Sequence, residues 1–328
     1  MQIEGEKMMK KRIPFGTLII SIICCMIVTM WSSENISARK KSDVLGALIL
    51  DENKNLVGTE GGESWKTIQM SLSWMAEDTS KSNNCYRIKA NAFQNCPNLK
   101  NIVIPFPEDS YGSIQEVDAH AFDGCSSKLT VYCPANTYLQ KRVLELGIKW
   151  KDYDSKKWDA ISRDSAKYVI MNQSREIIAH GASGLNVTFP KTTKKIRSYA
   201  FANVGFDKVM IPASVVDIEG YAFRGSGMRK AVFQKGKGKS KYKVVRSRAF
   251  ADTCLESVQF AEGVTSIEKN AFQDNDMLKK IYIPSSCKRI SRNMFGTDRM
   301  KKQVTIYGKK GSAAIAFAKK NGYQYKCR

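Results

Sequence analysis

The sequence contains few of the residues on which enzyme and metal chemistry most often depends. Only two histidines occur among its 328 residues, His120 and His180, and they lie in different halves of the chain. No two cysteines have the Cys-x-x-Cys spacing of a metal site, and no nucleophile elbow or glycine-rich phosphate loop is present. These absences argue against an enzyme, and we expect neither a cofactor nor a metal site.

Acidic residues are scarce in comparison with basic ones. The chain has 31 Asp and Glu against 53 Lys and Arg, which gives a net charge of +22. Residues 1–38 hold four basic and three acidic residues, so the remainder still carries +21. Such a basic surface indicates an anionic partner, for example a wall polymer, a sulfated glycan, anionic lipid or an acidic protein. No nucleic-acid-binding motif is found, and we therefore expect no nucleic acid partner.

Charge is missing altogether from residues 13–31, which form a long apolar run near the N-terminus. The run follows four basic residues, Lys7, Lys10, Lys11 and Arg12. Basic residues before an apolar segment are typical of an export signal. Cleavage is favoured, because Ile-Ser-Ala at 36–38 offers small residues at a possible cleavage site. A retained membrane anchor is the alternative, because the 19 uncharged residues exceed the usual core of about 7 to 15. We therefore expect residues 1–38 to be a signal peptide or anchor, with membrane contact through 13–31, and the protein to be secreted or at the cell surface.

The dipeptide Ala-Phe returns along the chain at a nearly constant interval. In the second half, the steps between successive phenylalanines are 22, 27, 22 and 23 residues, and a period in the twenties is typical of a stacked repeat. The repeat phenylalanines, with Met294-Phe295 as a degenerate copy, are Phe93, Phe122, Phe201, Phe223, Phe250, Phe272 and Phe295. Because adjacent parallel strands are close, we expect these rings to stack into one column that forms the core.

A second motif, Leu-x-x-Ile-x-Ile-Pro or a close variant, follows several Ala-Phe pairs. It occupies residues 99–105, 206–212 and 278–284. The alternation of apolar and polar residues predicts a short strand, which the proline ends. The sequence therefore predicts a repeat solenoid of short parallel β-strands, turns and short helical segments, with about 22 to 23 residues per coil.

Together these motifs resemble the repeat of the BspA-like leucine-rich repeat family, whose unit is approximately Ile-Gly-x-x-Ala-Phe-x-x-Cys-x-x-Leu-x-x-Ile-x-Ile-Pro. The closest matches are residues 88–105, 196–212 and 264–284, and the resemblance extends over 88–134 and 196–307. The chain departs from the unit where Arg197 and Glu268 replace the glycine, and it keeps the cysteine only at Cys96 and Cys125.

The resemblance carries expectations about function. Members of this family are typically exported surface proteins of bacteria and of some mucosal protozoa, implicated in adhesion and in binding other proteins, and the family has no catalytic residues. We therefore expect an exported binding or adhesion protein that recognises a surface or extracellular protein, or an anionic polysaccharide, through an exposed strand face. The alternative is a structural component of the cell envelope, held by charge to anionic wall polymer or lipid.

The chain is predicted to contain two arrays of coils built on one plan. The first covers residues 44–153 and the second 166–328, with a polar linker at 154–165. Each opens with a hairpin, and each closes with a capping helix, at 138–146 and 313–320, that begins after Thr137 or Ser312 and ends at Gly147 or Gly322. The first array has only two clear coils, so we expect it to lean on the second array or on its own opening, residues 59–87.

Candidate binding residues come from the strand motif. Strand residues alternate between core and surface. In the motif Leu-x-x-Ile-x-Ile, the residues immediately before and after the first Ile therefore face outward. Stacking in register places Lys208, Lys230 and Lys280 in one column and Met210, Val232 and Tyr282 in the next. The same rule predicts outward pairs at Asn101/Val103, Lys128/Thr130, Ser257/Gln259 and Gln303/Thr305. A cationic row beside an apolar row suits an anionic partner, whereas the plainer interpretation is a solvated lysine face.

A lysine-rich loop interrupts the second array in its longest step. Glycines alternate with lysines there, which predicts a flexible, solvated excursion. This loop is a second candidate binding site for anions, formed by Lys235, Lys237, Lys239, Lys241 and Lys243.

Seven cysteines follow the apolar segment. Cys96 and Cys125 occupy matching repeat positions, which predicts buried, unbridged thiols. Pairing of Cys85 with Cys96, or of Cys125 with Cys133, is the alternative in an oxidising compartment. Trp65 and Trp74 are expected in the core.

Overall fold

The computed structural model describes residues 43–70, 87–105, 114–153, 167–180, 186–236 and 243–328. The predicted leader at 1–38, the linker at 154–165, Trp74, Cys85 and lysines 237, 239 and 241 lie outside the described residues. The division into two arrays at the linker therefore stays a prediction.

Within these ranges, short strands form three sheets, and all pairings are parallel except within two hairpins. The eight-stranded sheet contains, in spatial order, β1 (Asp43–Val44), β12 (Asn186–Thr188), β14 (Lys208–Ile211), β16 (Lys230–Phe233), β18 (Ser257–Gln259), β20 (Lys280–Tyr282), β22 (Thr305–Gly308) and β23 (Gln324–Cys327). The four-stranded sheet contains β4 (Thr67–Gln69), β6 (Asn101–Val103), β8 (Thr130–Cys133) and β9 (Lys149–Asp152).

The eleven-stranded sheet runs through both arrays. Its spatial order is β21 (Arg289–Ile290), β19 (Val264–Ile267), β17 (Lys243–Val245), β15 (Asp217–Ile218), β13 (Lys195–Ile196), β11 (Glu176–His180), β10 (Tyr168–Asn172), β2 (Gly46–Leu50), β3 (Leu56–Glu60), β5 (Arg87–Ile88) and β7 (Glu116–Val117). Each coil thus contributes one strand to this sheet and one to the opposite sheet, as a repeat solenoid requires. The predicted fold class is confirmed.

The repeat phenylalanines stack on one another, but they form two columns in two separate cores, so the prediction of a single column is wrong. Ring centroids of Phe201 and Phe223 are 5.3 Å apart, those of Phe223 and Phe250 are 5.0 Å apart, and those of Phe250 and Phe272 are 5.5 Å apart, with interplanar angles of 8° or less. Phe295 continues the column at 6.2 Å from Phe272, but with a tilt of 46°. In the first array the rings of Phe93 and Phe122 stack at 5.8 Å. The sequence motif did not reveal Phe189, which starts the larger column at 4.7 Å from Phe201.

The alanine before each phenylalanine lies where two coils approach each other by their backbones. The Phe201 N–H donates to the Ala222 carbonyl at 2.8 Å, and the Phe223 N–H donates to the Ala249 carbonyl at 2.9 Å. The residue before the alanine is left-handed in every Ala-Phe pair of the repeats except Ala121-Phe122, for example Tyr221 at φ 64°. This conformation turns the chain sharply, and the small alanine side chain leaves room for the next coil.

The two arrays share a wall made by the hairpins β2–β3 and β10–β11. Strand β10 lies parallel to β2, with Ile170 opposite Leu48. Because successive strand residues point to opposite faces, Val169 and Ala47 enter the core of the second array, whereas Ile170 and Leu48 enter the core of the first. The expectation that the short first array leans on the second is confirmed.

Side chains fasten this junction on both sides. The Tyr168 hydroxyl donates to the Gln69 carbonyl at 2.8 Å, and its ring lies 6.2 Å from that of Trp65, which is buried as predicted. Arg175 pairs with Glu60 at 2.5 Å. A Cβ at Gly46 would approach the Trp65 ring to 2.2 Å, so only glycine fits there.

A helix closes each array, as predicted. Helix α1 (Tyr138–Glu145) begins after Thr137, whose side chain accepts a hydrogen bond from the Gln140 N–H. Helix α2 (Met300–Gln303) is a single turn that the sequence did not predict. Helix α3 (Ala313–Asn321) ends at left-handed Gly322, but the hydroxyl of Ser312 makes no capping hydrogen bond, contrary to expectation.

Cys96, Cys125 and Cys133 are free thiols, so neither suggested pairing is present. Burial raises the pKa of Cys96 and raises that of Cys125 to about 12, which keeps both protonated at neutral pH. Cys254 is disulfide-bonded, whereas Cys287 and Cys327 are free.

Lys243 does not lie in a solvated loop, so the prediction for this residue is wrong. It is the first residue of β17, pairs with Val264 and is only 3% exposed. Its side-chain nitrogen has no hydrogen-bond partner among the described residues. Burial lowers the pKa of its ammonium group. The reason for the error is that strand pairing resumes at Lys243 and draws the residue into the wall of the solenoid.

We expect the Phe223→Ala variant to lose on the order of 3 to 5 kcal/mol of unfolding free energy, because the rings on both sides hold the cavity open. Urea unfolding followed by circular dichroism measures this. Tyr325→Ala, at a residue that is 42% exposed, serves as the control. A loss below about 1 kcal/mol in Phe223→Ala would contradict a continuous column.

We expect the Lys243→Met variant to be more stable by on the order of 1 to 3 kcal/mol at neutral pH, because it removes a buried, unpaired charge. Since burial lowers the pKa of Lys243 in the folded state, the parent gains stability as pH rises from that pKa towards about 10.4. The advantage of the variant therefore shrinks towards pH 10.

Urea unfolding of parent and variant at neutral and alkaline pH measures this difference. Lys235→Met, which changes an exposed lysine before the same loop, is the control and is expected to leave stability unchanged. An advantage of equal size at both pH values would contradict this explanation.

Candidate binding surface

The outer face of the eight-stranded sheet carries two rows of side chains in strict register. Beneath them, Val209, Ala231 and Ile281 are fully buried, which fixes the alternate positions as surface. We call the first row the lysine row: Asn186, Lys208, Lys230, Ser257, Lys280, Thr305 and Gln324. We call the second the tyrosine row: Thr188, Met210, Val232, Gln259, Tyr282, Tyr307 and Lys326.

The lysine row places the three predicted lysines together. Lys208 lies directly opposite Lys230, and Ser257 separates Lys230 from Lys280. Lys230 and Lys280 are exposed, and Lys208 is half-buried. Among the ion pairs of the described residues, none includes any of these three lysines.

The acidic residues nearest to this row are already engaged by an arginine. Arg229 donates to Glu256 at 2.5 Å and 2.9 Å, and it lies 4.0 Å from Asp207. Both hydrogen bonds end on the Oε1 atom of Glu256, and the charge of Arg229 offsets that of the carboxylate and weakens its attraction for a neighbouring lysine. The charge of the lysine row is therefore available to another molecule.

The tyrosine row is longer than predicted. Met210, Val232 and Tyr282 lie where the motif placed them, but the residue opposite Tyr282 is Tyr307. The outward pair of β22 is therefore Thr305/Tyr307: Thr305 faces outward as predicted, whereas Gln303 precedes the strand and its predicted place is wrong. The cause is the unpredicted turn α2, which ends at Gln303 and delays the start of the strand.

The rings of Tyr282 and Tyr307 stack with centroids 4.5 Å apart and an interplanar angle of 25°. The guanidinium of Arg328 lies 4.9 Å from the Tyr282 centroid. Lys326 follows Tyr307 in the same row. One end of the face thus combines two half-buried aromatic rings with two cations.

The eleven-stranded sheet presents a different surface, because its charges are paired. Lys195 bridges Glu176 and Glu219 at 3.4 Å and 3.5 Å. Arg246 binds Asp217 through two hydrogen bonds of 2.8 Å and 3.0 Å. Although partial burial opposes its charged form, the Asn172 hydrogen bond and the nearby Lys195 and Arg197 lower the pKa of Glu176. Most of the sheet-face cations of the described second array that have no described ion pair therefore lie on the eight-stranded sheet, although exposed Arg289 of β21 has none either.

The first array repeats this design on a smaller scale. Tyr132 of β8 lies opposite Lys151 of β9, with the Lys151 amine 5.9 Å from the ring. Val103 and Thr130 alternate with the core residues Ile102 and Val131, as an outward orientation requires, but both are buried rather than exposed. The strand is displaced by two residues from the motif, as in β22, and Thr130 aligns with Asn101.

Most of the lysine-rich loop lies outside the described residues. Lys235 is exposed, Lys243 is buried, and the intervening residues 237–242 lie outside the described part of the chain. A binding role for Lys235, Lys237, Lys239 and Lys241 stays a prediction.

No group of three or more His, Cys, Asp and Glu side chains among the described residues is arranged to hold a metal ion. His120 is exposed and contacts Asp123 at 2.9 Å. A cleft of about 670 Å³ lies at the end of the first array, between Phe122 and Ile148, away from the lysine row. Within the described ranges, no helix has both the length and the apolar character needed to cross a bilayer.

A protein-family model, described as a BspA type leucine rich repeat region, matches this sequence in six copies over residues 73–145 and 180–301. None of the curated proteins matches it.

Two solved structures are similar to the chain. A leucine rich cell surface protein from Faecalibacterium prausnitzii has 16% identity and a TM-score of 0.32, over 72% of this chain and 62% of that protein. The pneumococcal vaccine antigen PcpA has 11% identity and a TM-score of 0.31, over 86% of this chain and 79% of that one.

We expect amine-directed labelling of the folded protein to distinguish the lysines by their surroundings. Lys230 and Lys280 should react quickly, because both are exposed and neither forms a described ion pair. Lys195, which bridges two carboxylates, should react more slowly, and buried Lys243 should react only on unfolding. Mass spectrometry of a labelling time course measures these rates. Equal rates for Lys243 and Lys230 would contradict the described burial.

Proposed function

This chain belongs to the family of BspA-type leucine-rich repeat proteins, and we propose that it is an exported binding or adhesion protein that holds an anionic partner on the outer face of its eight-stranded sheet. The single observation that carries this proposal is the alignment of Lys208, Lys230 and Lys280 in one row, where they have no carboxylate partners in the described part of the chain. The partner is a surface or extracellular protein with acidic groups, or an anionic polysaccharide.

The energetics favour a ligand on this face over a purely solvated one. Lys208 and Lys230 belong to adjacent strands, which are about 4.8 Å apart, so their like charges repel each other. The fold gains nothing from this repulsion, because the stacked core beneath it already holds the strands in register. A polyanion relieves the repulsion of several lysines at once, and its affinity therefore depends on their common alignment.

Export is supported by the uncharged segment at residues 13–31 and the basic residues that precede it. A signal peptide that is cleaved places the protein outside the cell, and a retained segment anchors it at the surface. Both outcomes present the lysine row to extracellular molecules. The proposal therefore includes export and adhesion whether the segment is cleaved or retained.

The high net charge also favours a second candidate, a structural envelope component held electrostatically to wall polymer or lipid. Such a component uses its total charge of +21 and needs no particular face. Salt separates the two candidates. Attachment by total charge is lost steadily as ionic strength rises, whereas a shape-complementary partner is retained at about 0.15 M salt, where the Debye length is about 8 Å.

We expect changing Lys208, Lys230 and Lys280 together to Glu to weaken binding to immobilised heparin and immobilised polyglutamate by on the order of 10-fold to 100-fold, because three attractive contacts become repulsive. Biolayer interferometry at about 0.15 M salt measures the affinity. The melting temperature should stay close to that of the parent, since these side chains lie outside the core.

A matched control changes Lys194, Lys269 and Lys288 to Glu, which alters the net charge by the same amount. These lysines are exposed and flank strands of the eleven-stranded sheet. If the control variant weakens binding as much as the first, total charge decides and the envelope component is the better account. If neither variant weakens binding, both candidates are wrong.

A further inference from the structure

The end of the outer face near β20 and β22 contains aromatic side chains that the fold does not require. Tyr282 and Tyr307 lie above buried Ile281 and Ile306, which already complete the core there. At the same position of other coils the chain has Met210, Val232 and Gln259. Because residues of such different size and polarity are accepted in this row, the core does not select for tyrosine.

Positive charge accompanies the tyrosine pair on several sides. Lys280 lies two residues before Tyr282 on the same strand, and therefore on the same face. Lys326 is in register with Tyr307, and Arg328 is held over the ring of Tyr282. The polar groups Thr305 and Gln324 continue the lysine row alongside, joined by a hydrogen bond of 3.3 Å.

The rows run across the strands, so a linear ligand that follows them lies along the axis of the solenoid. Lys208 and Lys230 are one strand spacing apart, and Lys280 lies two further spacings away. With about 4.8 Å between strands, the span from Lys208 to Tyr307 is about 19 Å. Cations recur along this line at about one or two strand spacings, which fits a polymer whose acidic groups recur at short, regular distances.

From these observations we infer that the partner is a linear anionic polysaccharide that lies across strands β14 to β22, with a sugar ring against Tyr282 and Tyr307. This inference rests on the proposed function and names the class of its partner. The C–H groups of a sugar ring carry partial positive charge and pack against electron-rich aromatic surface, while tyrosine hydroxyls, Thr305 and Gln324 offer hydrogen bonds to its hydroxyl groups. The lysines and Arg328 bind its acidic groups.

An acidic peptide fits the surface less well. It supplies carboxylates for the lysine row, but it has no regular series of rings to pack against the tyrosine pair. The two classes of polyanion therefore differ in how much they depend on Tyr282 and Tyr307. This difference makes the inference testable separately from the role of the lysines.

The test uses the full chain and two probes: sulfated heparin oligosaccharides of increasing length, from disaccharide to decasaccharide, and polyglutamate peptides of matching charge. Affinity is measured by isothermal titration calorimetry at about 0.15 M salt. We expect affinity for the oligosaccharides to rise with length and to level off once they span about 19 Å. An affinity that is independent of length would contradict a ligand lying along the row.

Changing Tyr282 and Tyr307 together to Ala should lower oligosaccharide affinity by about tenfold and leave polyglutamate affinity within about twofold of the parent. Tyr325→Ala, which removes an exposed tyrosine from β23 outside both rows, should change neither affinity. Changing Tyr282 and Tyr307 to Phe should restore most of the oligosaccharide binding. This rescue distinguishes a lost ring contact from a damaged fold.

The outcomes separate this inference from the proposed function. If the three-lysine variant loses both probes but the tyrosine variants affect neither, the face binds polyanions in general and the polysaccharide inference is wrong. If the tyrosine variants lower the affinity for both probes equally, the inferred contact between a sugar ring and the tyrosines is also wrong. If the three-lysine variant keeps both probes, the proposed function fails, and the inference fails with it.

Discussion

The stacking of phenylalanine rings from coil to coil is the interaction on which the rest of the structure depends. Rings from Phe189 to Phe272 follow one another at 4.7 to 5.5 Å, and this column sets how far each coil advances. Because every coil must place its ring above the previous one, the strands on both sides are held in parallel register. The alignment of Lys208, Lys230 and Lys280 on the surface is thus a consequence of packing in the core. The arrangement of the outer face and that of the core are thus two results of the same repeat.

The junction between the arrays shows how a short array is completed. Two coils bury too little apolar surface to be stable alone, and a repeat array needs a neighbour on each side. Here the hairpins β2–β3 and β10–β11 form one wall, and alternate residues of β10, such as Val169 and Ile170, enter opposite cores. The first array therefore gains its missing neighbour from the second. Arg175, which reaches Glu60, and Tyr168, which reaches Gln69, make the contact specific.

The repeat, the stacked rings, the hairpins and most of the lysine row could be predicted from the sequence, because a single coil contains the motif that determines each of them. What escaped prediction depends on contacts between distant segments or on local irregularity. The pairing of β1 with β12, and of β2 with β10, joins residues more than a hundred positions apart, and no periodic pattern identifies such partners. The turn α2 shifted the face of β22 by two residues, which hid Tyr307. Lys243 was misplaced because composition, which predicts a solvated loop, does not show where strand pairing resumes.

Hydroxyl-radical footprinting of the protein with and without a sulfated polysaccharide tests the central claim most directly, because methionine and tyrosine side chains report on contact at single residues. The rows place Met210, Tyr282 and Tyr307 on the binding face, whereas Met277 and Tyr325, each 42% exposed, lie outside both rows. The account predicts that the first three lose reactivity together when the polysaccharide binds and that the last two keep theirs. The account would be contradicted if Met277 and Tyr325 were protected while the three residues of the rows kept their reactivity.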